Sequence, residues 1–184
     1  RTITTTNDAV TFSGLVNSST GQTRGLTVAA GSGLTTFNLA VGVNQSLGAI
    51  AITGSGGLEL NADIGNTDPS AGATSLVVTG ATDLGGNVTT TGLQTYTDAV
   101  TLSGAARTLT STASGAVLFS STIDGTQDLT VATGGLTTFD GLVGNTTILG
   151  AIDISGTGGL DLDANIASAA SLAVTGATNL GANV

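Results

Sequence analysis

The chain has 184 residues, a formal net charge of −9 and an aromatic content of only 3%. It contains no His and no Cys, so the commonest zinc, copper and iron ligands and all disulfides are absent, and we expect no cofactor. Three Arg side chains without any Lys cannot neutralise a phosphate backbone, and no run approaches the roughly 20 apolar residues of a membrane span.

A tandem duplication organises the sequence. The segment RTITTT at Arg1 returns as RTLTST at Arg107, and GLTTF ending at Phe37 returns ending at Phe139. We therefore divide the chain into a first repeat, residues 1–106, and a second, incomplete repeat, residues 107–184, of one continuous structure. Because the second repeat stops within the pattern, we expect the chain to be part of something longer.

The second repeat lacks a counterpart to GNTDPS, residues 65–70. This segment contains Pro69, the only proline of the chain. Insertions between repeats fall in turns, and proline cannot extend a central strand. The sequence therefore predicts a turn here.

Short strand-like triplets recur in chain order, ITT, LTV, IAI and LVV in the first repeat and LTS, LTV, IDI and LAV in the second. Each is followed, after several glycine-rich residues, by another hydrophobic position. We expect these positions to form an inward column in a structural core: Phe12, Phe37, Leu60, Leu84, Phe119, Phe139, Leu162 and Leu180. Successive positions within a repeat are 18 to 25 residues apart, and one further coil, around Leu93, Tyr96 and Leu102, fits between the repeats.

Alternation within these segments has the period of a half-buried strand. In GGLDLDANI, Leu160 and Leu162 can point inward while Asp161 and Asp163 face water. Threonine and valine, which favour strands, dominate between glycine-rich turns. The sequence therefore predicts an all-β protein.

Short strands at this spacing are compatible with a sandwich, a propeller or a solenoid. A sandwich needs longer strands and larger core side chains, and propeller blades require about 40 residues each. We therefore predict a right-handed parallel β-solenoid, or β-helix, with coils of about 18–25 residues, about nine in all, stacked roughly 4.8 Å apart. Like residues then lie above like: Phe12 and Phe37 form an aromatic stack, as do Phe119 and Phe139, and Asn38 with Asn61 forms an amide ladder.

Three carboxylates are the candidate functional residues. Asp140 and Asp163 occupy matching positions in neighbouring coils, and Asp161 also points outward. Carboxylate oxygens suit Ca²⁺, so these three residues are weak calcium candidates. The alternative that we favour is a solvated acidic face, because Asn38 and Asn61 stand at the equivalent positions of the first repeat. Paired carboxylates also serve polysaccharide hydrolases built on β-helices, but no basic residue lies near them in sequence, and we predict that the chain is not an enzyme.

The segments VTTTGLQTYTDAVTL, RTLTSTASGAVLF, LTVATGGLTTFDGLVG and SLAVTGATNLGANV resemble the repeats of large bacterial surface proteins, the filamentous-haemagglutinin-like and autotransporter-type repetitive adhesins. The resemblance covers essentially the whole chain. It implies a secreted, extracellular β-solenoid stalk at the bacterial cell surface, exported unfolded through an outer-membrane pore. The absence of Cys agrees with that route.

Two functions follow as expectations. In the first, the chain is a non-catalytic stalk segment of an adhesin that holds a binding tip away from the cell. In the alternative, it is a self-assembling filament, sheath or surface-layer subunit whose solenoids stack end to end. The expected partners are further copies of the repeat in cis or neighbouring subunits in trans, with any host ligand bound elsewhere in the full protein, and neither nucleic acid nor membrane insertion is expected.

Overall fold

The computed structural model describes residues 1–66, 68 and 71–184. The turn expected at Pro69 lies outside the described residues. Every regular element within them is a β-strand, twenty in number, and these described residues contain no helix. All strand pairs are parallel. They form three stacks, which we call stack 1, stack 2 and stack 3.

Stack 1 runs the full length of the molecule. In spatial order it contains β1 (Thr2–Thr4), β3 (Leu26–Ala29), β5 (Leu47–Ile52), β7 (Ala73–Val78), β10 (Gln94–Tyr96), β13 (Val117–Phe119), β16 (Thr137–Phe139), β18 (Leu160–Leu162) and β20 (Thr178–Leu180).

Stack 2 begins with strands and ends with single-residue bridges. Its strands are β2 (Val10–Phe12), β4 (Thr35–Phe37), β6 (Leu58–Leu60), β8 (Thr82–Leu84), β11 (Val100–Leu102) and β14 (Ile123–Gly125). Beyond β14 the stack continues only through the bridged residues Ile123, Val143 and Ile166.

Stack 3 has the reverse arrangement. It begins as bridges that join Val16, Val41, Ile64 and Val88. It continues as β9 (Val88–Thr90), β12 (Arg107–Ser111), β15 (Leu129–Thr133), β17 (Leu149–Ile154) and β19 (Ala169–Val174).

The chain visits the three stacks in turn and returns above its own previous turn, so the predicted parallel β-solenoid is confirmed. Pairing continues without a break across the repeat boundary, where Leu109 pairs with Val88. The number of complete turns falls short of the nine coils predicted, because β20 is the ninth strand of stack 1 and is not followed by strands on stacks 2 and 3 in the described residues.

Side-chain alternation produces the core. In β15, Leu129 and Val131 are buried between the stacks while Thr130 and Ala132 are partly exposed. The same pattern recurs in most interior strands, so one hydrophobic cluster extends along the solenoid axis. Each turn buries only a few apolar side chains, and stability must therefore come from backbone pairing as well as apolar burial.

Glycine is required where a bridged residue is followed by a corner. Gly42 and Gly144 follow Val41 and Val143, with φ of 73° and 68°. A Cβ atom at Gly144 would collide with the backbone carbonyl of Ser168 in the next turn. The positive φ and the close approach both explain why a residue without a side chain occupies the corner.

The two sequence repeats do not lie in the same rotational position. LTVA of β3 lies in stack 1, but its counterpart in β15 lies in stack 3. Likewise, Phe37 of GLTTF lies in stack 2 and Phe139 lies in stack 1. The second repeat is therefore rotated relative to the first about the solenoid axis, because the offset between equivalent strands is one third of a turn less than a whole number of turns.

This rotation corrects the single inward column expected from the sequence, which the structure divides into two. Phe12, Phe37, Leu60 and Leu84 pair along stack 2, whereas Phe119, Phe139, Leu162 and Leu180 pair along stack 1. The six interior residues are fully buried, but Phe12 is only partly buried and Leu180 is 58% exposed, because both lie in end turns.

The expected aromatic contacts occur in both columns. The rings of Phe12 and Phe37 stack with centroids 4.7 Å apart. Phe119 meets Phe139 edge to face at 5.5 Å, and it also stacks on Tyr96 at 5.1 Å. The coil expected around Leu93, Tyr96 and Leu102 is thus present, with Tyr96 at its core. These offset and edge contacts are the favourable geometries for aromatic pairs.

Candidate functional site

The predicted acidic residues lie along the outer side of stack 1. The amide N of Asp140 donates to Phe119 O at 2.9 Å, and that of Asp163 donates to Phe139 O at 3.0 Å. The two residues therefore occupy the same position in successive turns, as the sequence predicted, and both are exposed. Their position is that of a solvated acidic edge.

Asp161 has a different environment from these two residues. It lies within β18, in register with Thr138 on one side and Asn179 on the other. Its Oδ1 accepts a hydrogen bond from Asn179 Nδ2 at 2.7 Å. In the described part of the chain, no group of three or more His, Cys, Asp or Glu side chains is arranged to hold a metal ion. The structure therefore does not unite the three calcium candidates into one site.

A second pair of carboxylates, which sequence analysis missed, lies on stack 2. Glu59 and Asp83 are directly in register on β6 and β8. Glu59 Oε2 accepts from Thr36 Oγ1 at 3.0 Å, and Asp83 Oδ1 accepts from Ser103 Oγ. The hydroxyl donors on either side partly offset the repulsion between neighbouring carboxylates. The signal was present in the sequence, since LEL and TDL both place an acid between inward residues.

Other acidic side chains join one turn to the next. Asp124 Oδ1 accepts from the backbone N of Thr146 at 2.7 Å and of Thr147 at 3.0 Å. Asp128 Oδ1 accepts from the N of Ala151 at 2.7 Å. These carboxylates accept hydrogen bonds from backbone donors of the next turn and so help to hold successive turns together.

Asparagine side chains form further links between turns. Asn61 Nδ2 donates to Asn38 Oδ1 at 3.1 Å, which is the predicted amide ladder. Asn87 Oδ1 accepts from the backbone N of Thr108 at 2.9 Å, and Asn165 Oδ1 accepts from that of Asn183 at 2.9 Å. A recurrent amide or carboxylate at the corner thus holds the following turn in position.

A polar network lies in the interior around Tyr96. Tyr96 Oη donates to Gln94 Oε1 at 3.1 Å, and Gln94 Nε2 donates to Thr110 O at 2.9 Å and to Thr90 Oγ1 at 3.2 Å. Burial raises the pKa of Tyr96 far above its usual value. These buried groups link stack 1 to stack 3.

Arg107 is also occupied structurally. Its guanidinium donates to Gly85 O through Nη1 at 2.7 Å and to Ala105 O through Nε at 2.8 Å, and the residue is 7% exposed. A charged group that is engaged by two carbonyls and largely removed from solvent is not an anion-binding surface.

The surface recesses have mixed polar and apolar linings. One, of about 370 Å³, is lined by Asp63, Ile64, Asn66 and Asn87 together with outward threonines of β9 and β12. Asp63 already accepts from the backbone N of Asn87 at 2.7 Å. This recess lacks the aromatic lining that small-molecule sites use for affinity.

No protein-family model matches the chain, and neither a curated protein nor a solved structure is significantly similar to it. In the described part of the chain, no helix has the length and apolar character needed to cross a bilayer.

Proposed function

We propose that this chain is a non-catalytic stalk segment of a secreted bacterial surface adhesin, extending a rod-like solenoid from the cell. The observation that carries the proposal is the unbroken parallel stacking of stack 1 from β1 to β20. Nine strands at the spacing of about 4.8 Å make a rod of roughly 40 Å. Repetition of such turns extends a protein in one direction without a larger core.

The use of the polar side chains supports the same proposal. Several acids and amides, such as Asp124, Asp128 and Asn87, accept hydrogen bonds from the next turn. Groups engaged in this way hold the rod together and keep its surface hydrophilic. This arrangement gives the protein length, and it does not gather reactive groups into one local site.

A filament, sheath or surface-layer subunit is the second candidate. Among the described residues, β1 and β2 are the terminal strands at one end and β19 and β20 at the other. Open edges of parallel strands are templates for pairing with another chain. End-to-end contact of this kind uses unlike surfaces and therefore generates open fibres rather than closed dimers.

One experiment separates these two functions, and a second tests the surface role that they share. Small-angle scattering and electron microscopy of the purified chain are expected to show monomeric rods, whereas long fibres at micromolar concentration would favour the filament. An antibody against the chain is expected to label intact cells of the source bacterium. Labelling only after permeabilisation would contradict a surface role of either kind.

A further inference from the structure

The fifth coil of the solenoid, counted from β1, lacks one crossing. In most coils the chain crosses the three stacks with a long strand, a three-residue strand and a third crossing that contains a bridged residue, such as Val41, Ile64 or Val143. The fifth coil consists of β10 and β11 alone, and β12 begins the next coil after residues 103–106. Elsewhere among the described strands, the third crossing with its connections takes six residues or more, as at 163–168. Four residues are therefore too few for a third crossing.

The strand that follows this coil is longer than the strand beneath it. Strand β12 lies on β9, but only Leu109, Thr110 and Ser111 have partners there. Arg107 and Thr108 extend beyond the end of β9, although both pair with β15 on the other side. A strand end without a partner strand below it leaves backbone groups that need other hydrogen bonds.

Side chains supply the missing contacts below β12. Arg107 occupies an inward position, in register with Leu129 of the next turn, and its Nη1 donates to Gly85 O of the turn below at 2.7 Å. Asn87 Oδ1 accepts from the backbone N of Thr108 at 2.9 Å. Both contacts reach the connection between β8 and β9. They therefore support the part of β12 that has no strand beneath it.

The beginning of the fifth coil is adjusted in a similar way. Strand β7 is covered by two strands, because Ala73 pairs with Thr90 of β9 while its other end pairs with β10. Gly92 N donates to Thr74 O at 2.8 Å, so the connection between β9 and β10 also lies on β7. Gly92 O accepts from Thr90 Oγ1 at 2.7 Å and from Ser111 Oγ at 2.9 Å. These hydroxyl groups tie the connection to β12 in the turn above.

We propose that the fifth coil sets the rotation between the two repeats: its missing third crossing moves each later strand to the next stack, and Arg107 fits the displaced β12 to the turn below. Inward side chains do not select the stack, since GLTTF fills stack 2 in one repeat and stack 1 in the other. As a result Leu34 and Leu136, which hold the same place in GLTTF, are exposed on different sides of the rod. The inference concerns the winding itself, so it goes beyond the proposed function and applies equally to a stalk and to a filament subunit.

The test restores the third crossing in the full chain. Residues 103–106 are replaced by a copy of residues 38–46, which cross stack 3 through Val41. Two pairs of introduced cysteines then report the position of β13. Thr95→Cys with Leu118→Cys reports its native place on stack 1, and Thr101→Cys with Leu118→Cys reports a place on stack 2. The native connection is expected to give only the first disulfide, and the restored chain is expected to lose it and to form the second.

Two matched variants, each combined with the same cysteine pairs, separate the missing crossing from other causes. In one, residues 103–106 are followed by glycine and serine residues up to the length of 38–46, which lengthens the connection without an apolar residue to occupy stack 3. The added residues are expected to loop out, so this variant keeps the native disulfide. In the other, Arg107→Met removes the guanidinium but keeps an unbranched side chain. It is expected to keep the native disulfide while its melting temperature falls by about 5 °C.

Each contrary result would overturn the proposal. Persistence of the native disulfide in the restored chain, or its exchange in the glycine–serine variant, would show that the missing crossing does not set the rotation. The second disulfide in the Arg107→Met chain would assign the rotation to that side chain instead. Loss of the folded state in either lengthened chain, measured by circular dichroism, would contradict the claim that the later strands fit either stack. None of these results bears on display at a cell surface, so the stalk function is tested separately.

Discussion

Phe37 and Phe139 end the same GLTTF segment in two repeats, yet they lie in different stacks. Phe37 stacks on Phe12 in stack 2, whereas Phe139 contacts Phe119 in stack 1. Both positions are fully buried, so the same segment satisfies either stack. Because the duplication is one third of a turn short of a whole number of turns, equivalent outward residues of the two repeats face different directions.

Adjacent residues of β13 test the inward column. Phe119 is fully buried against two aromatic rings, while Leu118 points outward between Thr95 and Thr138. Phe119→Asp removes a buried ring and introduces an unpaired charge, so a loss of about 4 kcal/mol or more in unfolding free energy is expected. Leu118→Asp should change it by about 1 kcal/mol or less. Urea unfolding followed by circular dichroism measures both, and similar losses would show that the inward and outward positions are misassigned.

A buried hydroxyl without a partner should be a weak point. Thr137 Oγ1 is enclosed and makes no hydrogen bond, which costs about 1–3 kcal/mol. Thr137→Val keeps the shape, and it is expected to raise the unfolding free energy by about 1 kcal/mol.

Thr133 provides the matched control for this substitution. Its hydroxyl donates to Gly115 O at 2.7 Å and accepts from Gly135 N at 3.0 Å. Thr133→Val should therefore be destabilising by about 1–2 kcal/mol. If both valine variants lose stability in thermal melts, the Thr137 hydroxyl has a partner after all.

The exposed acid pair should weaken the second repeat at low salt. Asp140 and Asp163 stand in successive turns where the first repeat has the hydrogen-bonded Asn38 and Asn61. Replacing both acids with Asn is expected to stabilise the chain by about 0.5 kcal/mol at low ionic strength. The gain should shrink in high salt because screening already reduces the repulsion.

Adding Ca²⁺ distinguishes a calcium site from a solvated acidic edge at Asp140 and Asp163. If millimolar Ca²⁺ raises the melting temperature of the native chain and not that of the double Asn variant, the two acids bind the cation. An acidic edge of the solvated kind predicts equal responses from the two proteins.

The single tyrosine gives the fold a defined alkaline limit. Burial raises the pKa of Tyr96 above its ordinary value of about 10. Stability from this group is complete below pH 10 and is lost as the pH rises, because the unfolded chain ionises there and the folded chain does not. The expected slope is about 1.4 kcal/mol per pH unit above 10.

Absorbance at the tyrosinate band follows this transition without interference from another tyrosine. Ionisation is expected to appear only together with unfolding. Tyr96→Phe should lack this added slope, although it leaves Gln94 Oε1 without its donor and so starts from a lower stability. Tyrosinate formation in the folded chain near pH 10 would contradict the buried position.

The strand segments and the amide ladder could be predicted because they depend on local alternation. Leu160 and Leu162 lie on the opposite side of a strand from Asp161, whichever stack the strand belongs to. Asn38 and Asn61 are likewise one coil apart, whichever stack they occupy. Asp140 and Asp163 lie in successive turns for the same reason. These features require only the period of the winding.

The rotation between repeats could not be predicted, because at some points the chain crosses a stack with only a single bridged residue and no strand. Val41 and Val143 contribute one bridged residue each to their turns. In the sequence, such a residue before a glycine looks like part of a loop, so the number of passes between Phe37 and Phe139 cannot be counted. The acid pair of Glu59 and Asp83 was overlooked, although Leu60 and Leu84, which follow the two acids, were already expected in one inward column.

Disulfide formation between two introduced cysteine pairs tests the central claim, which is that successive turns stack in the observed register. The native chain has no Cys, and a spacing of about 4.8 Å between paired strands suits a disulfide. Thr95 and Leu118 pair in the structure, whereas one continuous Phe–Leu column would place Leu118 above Thr101 instead. The variant with Thr95→Cys and Leu118→Cys is expected to oxidise to an intramolecular disulfide while remaining folded. A disulfide in the variant with Thr101→Cys and Leu118→Cys, but not in the first, would contradict the stacking described here.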